Sequence, residues 1–339
     1  MEKWITPSLF SGTLATDEFG LMSQLHGTSL PNITGQEAAS SQSDANKATR
    51  LQQHRASFIT EPDIAWIRDH GMNAIRLPVP HWVFGGFEPY VECQAQVDWL
   101  LDMATKYDLK VLIDLHTAPG SQNGYDHSGQ AGQINWHKDQ ASIDQTVAVI
   151  RQLAERYGQH PQVIGFELLN EIHSKVPTQA TEQYYLAAQA AVAPLAPGKL
   201  SIIGDCFAPV KWQSFAGQHN MALDSHHYQV FTNQEKRMSL VNHIKKAKYD
   251  WADLIAGVQR YTPQIVGEWS AALDNQTFRG FDAYERDKGY LAYATAQIEC
   301  FNKALGWFYW TLKTEDDGAW SCQAAVKRGW LPSSFSDVN

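Results

Sequence analysis

The run Val163-Ile164-Gly165-Phe166-Glu167-Leu168-Leu169-Asn170-Glu171 is apolar until it stops abruptly at an amide and a carboxylate. A short apolar segment bounded by polar residues reads as a strand buried on both faces of a parallel sheet. Asn170 and Glu171 then sit at its carboxyl end, where α/β barrels carry their chemistry. A second segment of the same kind, Gln264-Ile265-Val266-Gly267-Glu268-Trp269, delivers another carboxylate 97 residues later. A single Glu in such a place is ordinarily a solvated residue favoured by a helix dipole. Two of them, on two strand ends facing one cleft, are what hydrolysis of a glycosidic bond requires.

Outward from these two strands, the chain alternates strand and helix. Thr60-Glu61-Pro62-Asp63 is a helix start, with Thr60 as N-cap, Pro62 in the first turn and Asp63 reaching back; Gly71 closes the helix in a left-handed conformation. Strands are expected at 73–79, 110–116, 163–171, 200–204, 222–228, 264–269 and 306–310. Between them Val97, Leu100, Leu101 and Ala104, and then Ile143, Val147, Ile150, Leu153 and Tyr157, show the 3–4 spacing of amphipathic helices. Further helices are expected at about 180–193, up to about 260, and at 284–303. Residues 1–56, punctuated by Pro7, Gly12, Gly20, Gly27, Pro31 and Gly35 and polar from Glu37 to Asn46, read as mostly loop with at most a short helix. The alternation predicts a parallel sheet with helices outside it and one domain spanning 1–339. Seven strands are legible, where a closed barrel has eight. The fold class is therefore a (β/α)8 TIM barrel with its first strand missing at the N-terminus.

Composition narrows the function. A chain of 339 residues with 44% apolar and 19% charged content builds an ordinary core. Its net charge of −9 disfavours nucleic acid or an anionic membrane as main partner. No stretch has the length of a membrane span, and no signal sequence opens the chain. Cys93, Cys206, Cys300 and Cys322 show neither disulfide nor metal spacing, which points to buried, reduced thiols and a cytoplasmic location. The 12 Trp, 13 Tyr and 14 Phe are an unusual number; most are expected to fill the core, and aromatic faces near strand ends also pack against sugar rings.

The strand ends supply Arg76, His116, Asn170 with Glu171, His226 with Tyr228, Glu268 and Trp310. A lone His or Arg there is ordinarily a satisfied structural partner; six of seven strands so equipped form a sugar site. Bond cleavage needs one protonated and one ionised carboxyl, so neighbours must split two equal pKa values. Arg76 and Tyr228 are expected to keep Glu268 ionised, and an apolar setting against Leu168 and Ile172 is expected to keep Glu171 protonated. Adjacent strand residues point to opposite faces, so Asn170 and Glu171 reach one cleft only if the 170/171 peptide leaves the ladder.

These stretches resemble glycoside hydrolase family 5, in its exo-β-1,3-glucanase branch. The resemblance is carried by Trp4 to Phe10, Asn73-Ala74-Ile75-Arg76-Leu77-Pro78, Asp114-Leu115-His116, Ala118 to Asp126 and Leu169-Asn170-Glu171. It continues through His226-His227-Tyr228-Gln229-Val230-Phe231, Gly267-Glu268-Trp269 and Trp310 to Glu315. It implies a retaining double displacement on laminarin-like β-1,3-glucan, with Glu171 as acid/base and Glu268 as nucleophile. It also implies sugar contacts from Glu2, Arg76, His116, Asn170, His226, Tyr228 and Trp310, with Tyr125 and Phe231 clamping the next glucose. No metal or organic cofactor is implied. Activity on β-1,6-glucan or a diglycoside, and a sugar-binding pseudoenzyme, stay open. Two departures stand out: Ile172 replaces a Pro, and the family's first strand, a Gly-Val-Asn-Leu-Gly-type segment before Glu2, is missing. Three outcomes stay open: residues 1–14 refold into the gap, another chain fills it, or the barrel stays open and activity drops, its exposed edges then allowing self-association.

Overall fold

The computed structural model describes residues 2–25 and 44–336. Seven strands form one sheet: β1 (Ala74–Val79), β2 (Lys110–Leu115), β3 (Val163–Glu167), β4 (Leu200–Gly204), β5 (Ala222–His227), β6 (Gln264–Trp269) and β7 (Gly306–Tyr309). Each is parallel to the next, in chain order. This is the (β/α) barrel expected, nearly closed. Among the described residues β7 and β1 do not pair, so the barrel is open along one seam. Residues 2–13 form turns and no strand. Of the three outcomes left open by the sequence, refolding of residues 1–14 into the gap is not what the described part does.

The seam has physical consequences. β6 is buried at every position, while β7 is half-buried at every position. A cavity of about 420 Å³ runs between the two free edges, lined by Ile75 and Pro78 on one side and Trp307 and Phe308 on the other. Pro78 has no N–H to offer a ladder, and in sheets such a residue belongs on an edge.

The helices that pack outside the sheet follow the expected periodicity. The first is α3 (Glu61–Asp69), preceded by α1 (Glu18–Leu25) and α2 (Asp44–Ser57). It opens with the expected capping box, the Thr60 amide donating to Asp63 Oδ2 at 2.8 Å, and Gly71 follows it at φ +82°. After α4 (Gln94–Tyr107), α5 (Gln140–Tyr157) buries Val149, Ile150, Leu153, Ala154 and Tyr157 against the sheet. The main core joins these side chains to Val111, Ile113, Phe166 and Leu168.

The N-terminal region departs from expectation. It carries the two helices α1 and α2 where loop was expected; the polar stretch at 26–43 lies outside the described residues. Leu9, Phe10, Leu21, Met22 and Leu51 form a separate small core. Among the described residues no helix is long and apolar enough to cross a membrane.

Candidate active site

The carboxyl ends of β2, β3, β5, β6 and β7 converge on one cavity of about 930 Å³. The decisive local feature is the end of β3. Leu168 N donates to Ile202 O on the β4 side at 2.8 Å, and Asn170 N then donates to Leu115 O on the β2 side at 2.9 Å. Glu171 takes φ +40°, a region that residues with a Cβ rarely occupy. The chain thus leaves the ladder before the 170/171 peptide, and β3 ends at Glu167, earlier than the sequence suggested. Glu171 then reaches the cavity, whereas Asn170, expected to share it, stays fully buried behind the wall against Arg76.

Beneath the cavity lies a guanidinium held by carboxylates. Arg76, on β1, donates Nε to Glu167 Oε2 at 2.8 Å, Nη1 to Glu268 Oε1 at 2.9 Å and Nη2 to Asn170 Oδ1 at 2.9 Å. Asp114 Oδ2 lies 3.1 Å and Asp224 Oδ2 3.8 Å from it. Burial opposes the charge on Arg76, but the four carboxylates outweigh burial and hold it protonated. Burial acts the other way on Glu167. It raises that carboxyl well above the usual range even beside Arg76, because Asp114 and Asp224 are close and negative.

The two carboxyl groups implied as catalytic face each other across an imidazole. His226 Nδ1 lies 2.7 Å from Glu171 Oε1 and 3.4 Å from Glu268 Oε2. One oxygen of Glu171, one of Glu268 and a His226 nitrogen all fall within 4.8 Å of one another. That spacing matches the close pair of a retaining glycosidase and falls short of the 6.5–9.5 Å that an inverting enzyme keeps for its water. The same donors are close enough to surround a cation, but Arg76 already supplies positive charge 2.9 Å from Glu268. Tyr228 donates its hydroxyl to Glu268 Oε2 at 2.8 Å, so both oxygens of Glu268 are held.

Glu171 corrects an expectation. An apolar setting was expected to keep it protonated. Burial does push it up, but hydrogen bonds from His127 and His226 outweigh burial and hold it well below the usual carboxylate range. His127 Nε2 lies 3.1 Å from Glu171 Oε2, so each carboxylate oxygen faces an imidazole. His127 stands in the long loop after β2, and nothing in local spacing singled it out.

The other expected residues fall around this centre. His116 donates Nδ1–H to Asp114 Oδ2 at 2.6 Å, and its ring stacks on Trp310 with centroids 5.5 Å apart and planes 5° from parallel. Glu2 is buried at the cavity wall, accepts from Trp4 Nε1 at 2.7 Å, and is pushed up by burial. Tyr125 and Phe231 line the mouth, 44% and 65% exposed, as open aromatic faces do at an entrance. Nine of the eleven expected site residues line the cavity; Arg76 and Asn170 lie behind its wall. Asn170 is fully buried, with its carbonyl taken by Arg76.

Besides His127, the sequence reading missed Phe207 and Trp320 on the lining and the buried carboxylates Asp114, Glu167 and Asp224. The carboxylates had a signal: each interrupts an apolar strand, where an acid is costly unless paired.

The chain matches the model of the cellulase family, glycosyl hydrolase family 5, over residues 32–316. It is 33% identical over 377 residues to a protein of Aspergillus fumigatus named probable glucan 1,3-beta-glucosidase A, covering 99% of this chain and 86% of that one. It is 31% identical to glucan 1,3-beta-glucosidase 1 of Schizosaccharomyces pombe, with the same coverages. Among solved structures, rutinosidase from Aspergillus niger superposes with a TM-score of 0.75 at 21% identity, covering 100% of this chain and 94% of that one. At that identity the likeness shows the fold.

Proposed function

Because the chain belongs to glycoside hydrolase family 5, we propose that it is a retaining β-glucan hydrolase acting from the chain end on β-1,3-linked glucose. The observation that carries the reading is the approach of the Glu171 and Glu268 carboxyl groups to within 4.8 Å. Glu268, held between Arg76 and Tyr228, attacks the anomeric carbon and forms a glycosyl-enzyme; Glu171 serves the leaving oxygen and then the incoming water. His116, Trp310, His226 and Glu2 hold the cleaved sugar, and Tyr125 and Phe231 flank the next one. The names of the relatives support the β-1,3 linkage.

A reducing-sugar assay on β-1,3-glucan, β-1,6-glucan and a rutinoside tests the specificity, beside Glu171→Gln and Glu268→Gln. Trapping with a fluorinated glucosyl donor should label Glu268. Glu171→Gln is expected to lose about 10²- to 10⁴-fold on substrates with poor leaving groups. Tight sugar binding with no label on Glu268 would instead describe a binding module.

Two subsidiary readings go with it. The free edges of β1 and β7 support self-association at raised concentration, which light scattering would detect and a constant monomer mass would exclude. The four cysteines are unpaired, and three are buried, which supports a reducing, cytoplasmic setting testable by cell fractionation.

A further inference from the structure

The mechanism proposed above needs a proton on Glu171, and the geometry presents that carboxyl as an acceptor. Its Oε1 faces His226 Nδ1 at 2.7 Å and its Oε2 faces His127 Nε2 at 3.1 Å. The two imidazoles are not equivalent. His226 is shared: it also lies 3.4 Å from Glu268 and 3.5 Å from Asp224. His127 has Glu171 as its ion-pair partner, and its Nδ1 is buried without a hydrogen-bond partner among the described residues.

The loop that presents His127 is tied to the ends of β2 and β3. Gln122 Nε2 donates to His116 O at 2.9 Å and to Asn170 O at 3.0 Å. Asn123 Nδ2 donates to Glu171 O at 3.2 Å, and Ser128 Oγ donates back to Tyr125 O at 2.6 Å. The imidazole is therefore fixed relative to the backbone that carries the acid/base.

We infer that His127 is a positioning residue that stores the catalytic proton for Glu171, so that the His127–Glu171 pair, rather than the carboxyl alone, is the general acid. This rests on the assignment of Glu171 as acid/base. In glycosylation the His127 Nε2–H bond breaks and a Glu171 Oε2–H bond forms. That proton passes to the leaving oxygen, which keeps the electron pair of the broken glycosidic bond, while Glu268 bonds the anomeric carbon. His127 is then a neutral imidazole carrying its proton on Nδ1. In the second step water adds to the anomeric carbon and releases Glu268; the proton it loses goes to Glu171 and returns to Nε2.

The charged and titratable groups facing His127 are consistent with a stored proton. Glu171, Glu268 and Glu2 raise its pKa, and Asp126 is its chain neighbour. His116 and Tyr125 face it with ring centroids 5.4 and 5.5 Å away. Burial lowers His127, but the carboxylates outweigh it and bring it up to about 9.

The test compares His127→Asn and His127→Gln with the full wild-type chain on a phenyl β-glucoside, whose leaving group needs a proton, and a dinitrophenyl β-glucoside, whose leaving group does not. The expected result is an alkaline limb of kcat moved at least two pH units lower on the phenyl substrate. At pH 8 this is a loss of tenfold or more, with KM and the dinitrophenyl rate kept within threefold. An unmoved limb, or equal losses on both substrates, overturns the proposal. Should the variants fail to fold, nitrogen NMR of the wild-type imidazoles decides. His127 is expected doubly protonated at pH 7.5 and neutral in the fluoroglucosyl-trapped enzyme; a neutral His127 in the resting enzyme overturns it. Full activity of Glu171→Gln on the phenyl substrate would instead sink the assignment of the acid/base.

Discussion

Arg76 shows how one residue organises a catalytic floor. Its three donor positions reach Glu167, Glu268 and Asn170, which come from two strands and the turn beyond one of them. Removing the guanidinium would leave Asp114, Glu167, Asp224 and Glu268 buried together without the cation they share. Arg76→Met is therefore expected to cost about 3–5 kcal/mol, read as a lowered urea midpoint. His127 carries a second prediction, on stability. Its pKa is raised from 6.5 to about 9, so its contribution is full below pH 6.5 and is lost as pH rises toward about 9. Melting temperature should fall across that window in the wild type and stay flatter in His127→Asn; equal slopes would contradict the ion pair. At this scale the sequence was informative wherever a residue sat at a strand end, as Glu171, Glu268, His226 and Trp310 do. It was silent on His127, because that residue reaches the site through a loop whose path depends on Gln122 and Asn123 bonding to two different strands.

Elements were legible where the apolar pattern repeats. α5 and the strands β2, β3 and β6 read directly, since each buries a continuous apolar face. α1 and α2 did not, because α2 is polar along most of its length and α1 has a glycine within it. Tertiary contacts hold them: Arg50 of α2 donates Nη1 to Ser11 O at 3.0 Å, and Leu21, Met22 and Leu51 meet Leu9 and Phe10. The β5–β6 pair depends on a missing side chain. Gly267 N donates to Asp224 Oδ1 at 2.6 Å, and a Cβ at 267 would fall 1.8 Å from Asp224 Oδ2. Gly267→Ala should therefore displace Asp224 and destabilise by about 1–3 kcal/mol, measured by denaturant titration. Wild-type stability in that variant would mean that the two strands separate more readily than their packing indicates.

At the scale of the whole molecule, the barrel is a seven-stranded sheet curled nearly to closure. The seam sets an uneven distribution of stability, because among the described residues the outer edges of β1 and β7 lack the second neighbour that β2 to β6 have. Hydrogen exchange should find outer-edge amides of β1 and β7 exchanging at least tenfold faster than ladder amides of β3 and β4; uniform protection would mean that the seam is covered in solution. The sequence by itself determined the alternation of strand and helix, the number of strands, and which strand ends carry acids, amides and imidazoles. Those follow from burial periodicity and from the cost of placing a charge in an apolar run, both local properties. Only the tertiary structure decided that residues 2–13 form turns that set Glu2 in the cavity wall rather than a strand in the seam, and that two imidazoles grip Glu171. Electrostatic environment is a property of groups that meet in space, and His127 and Glu171 meet through a loop fold that no local periodicity encodes.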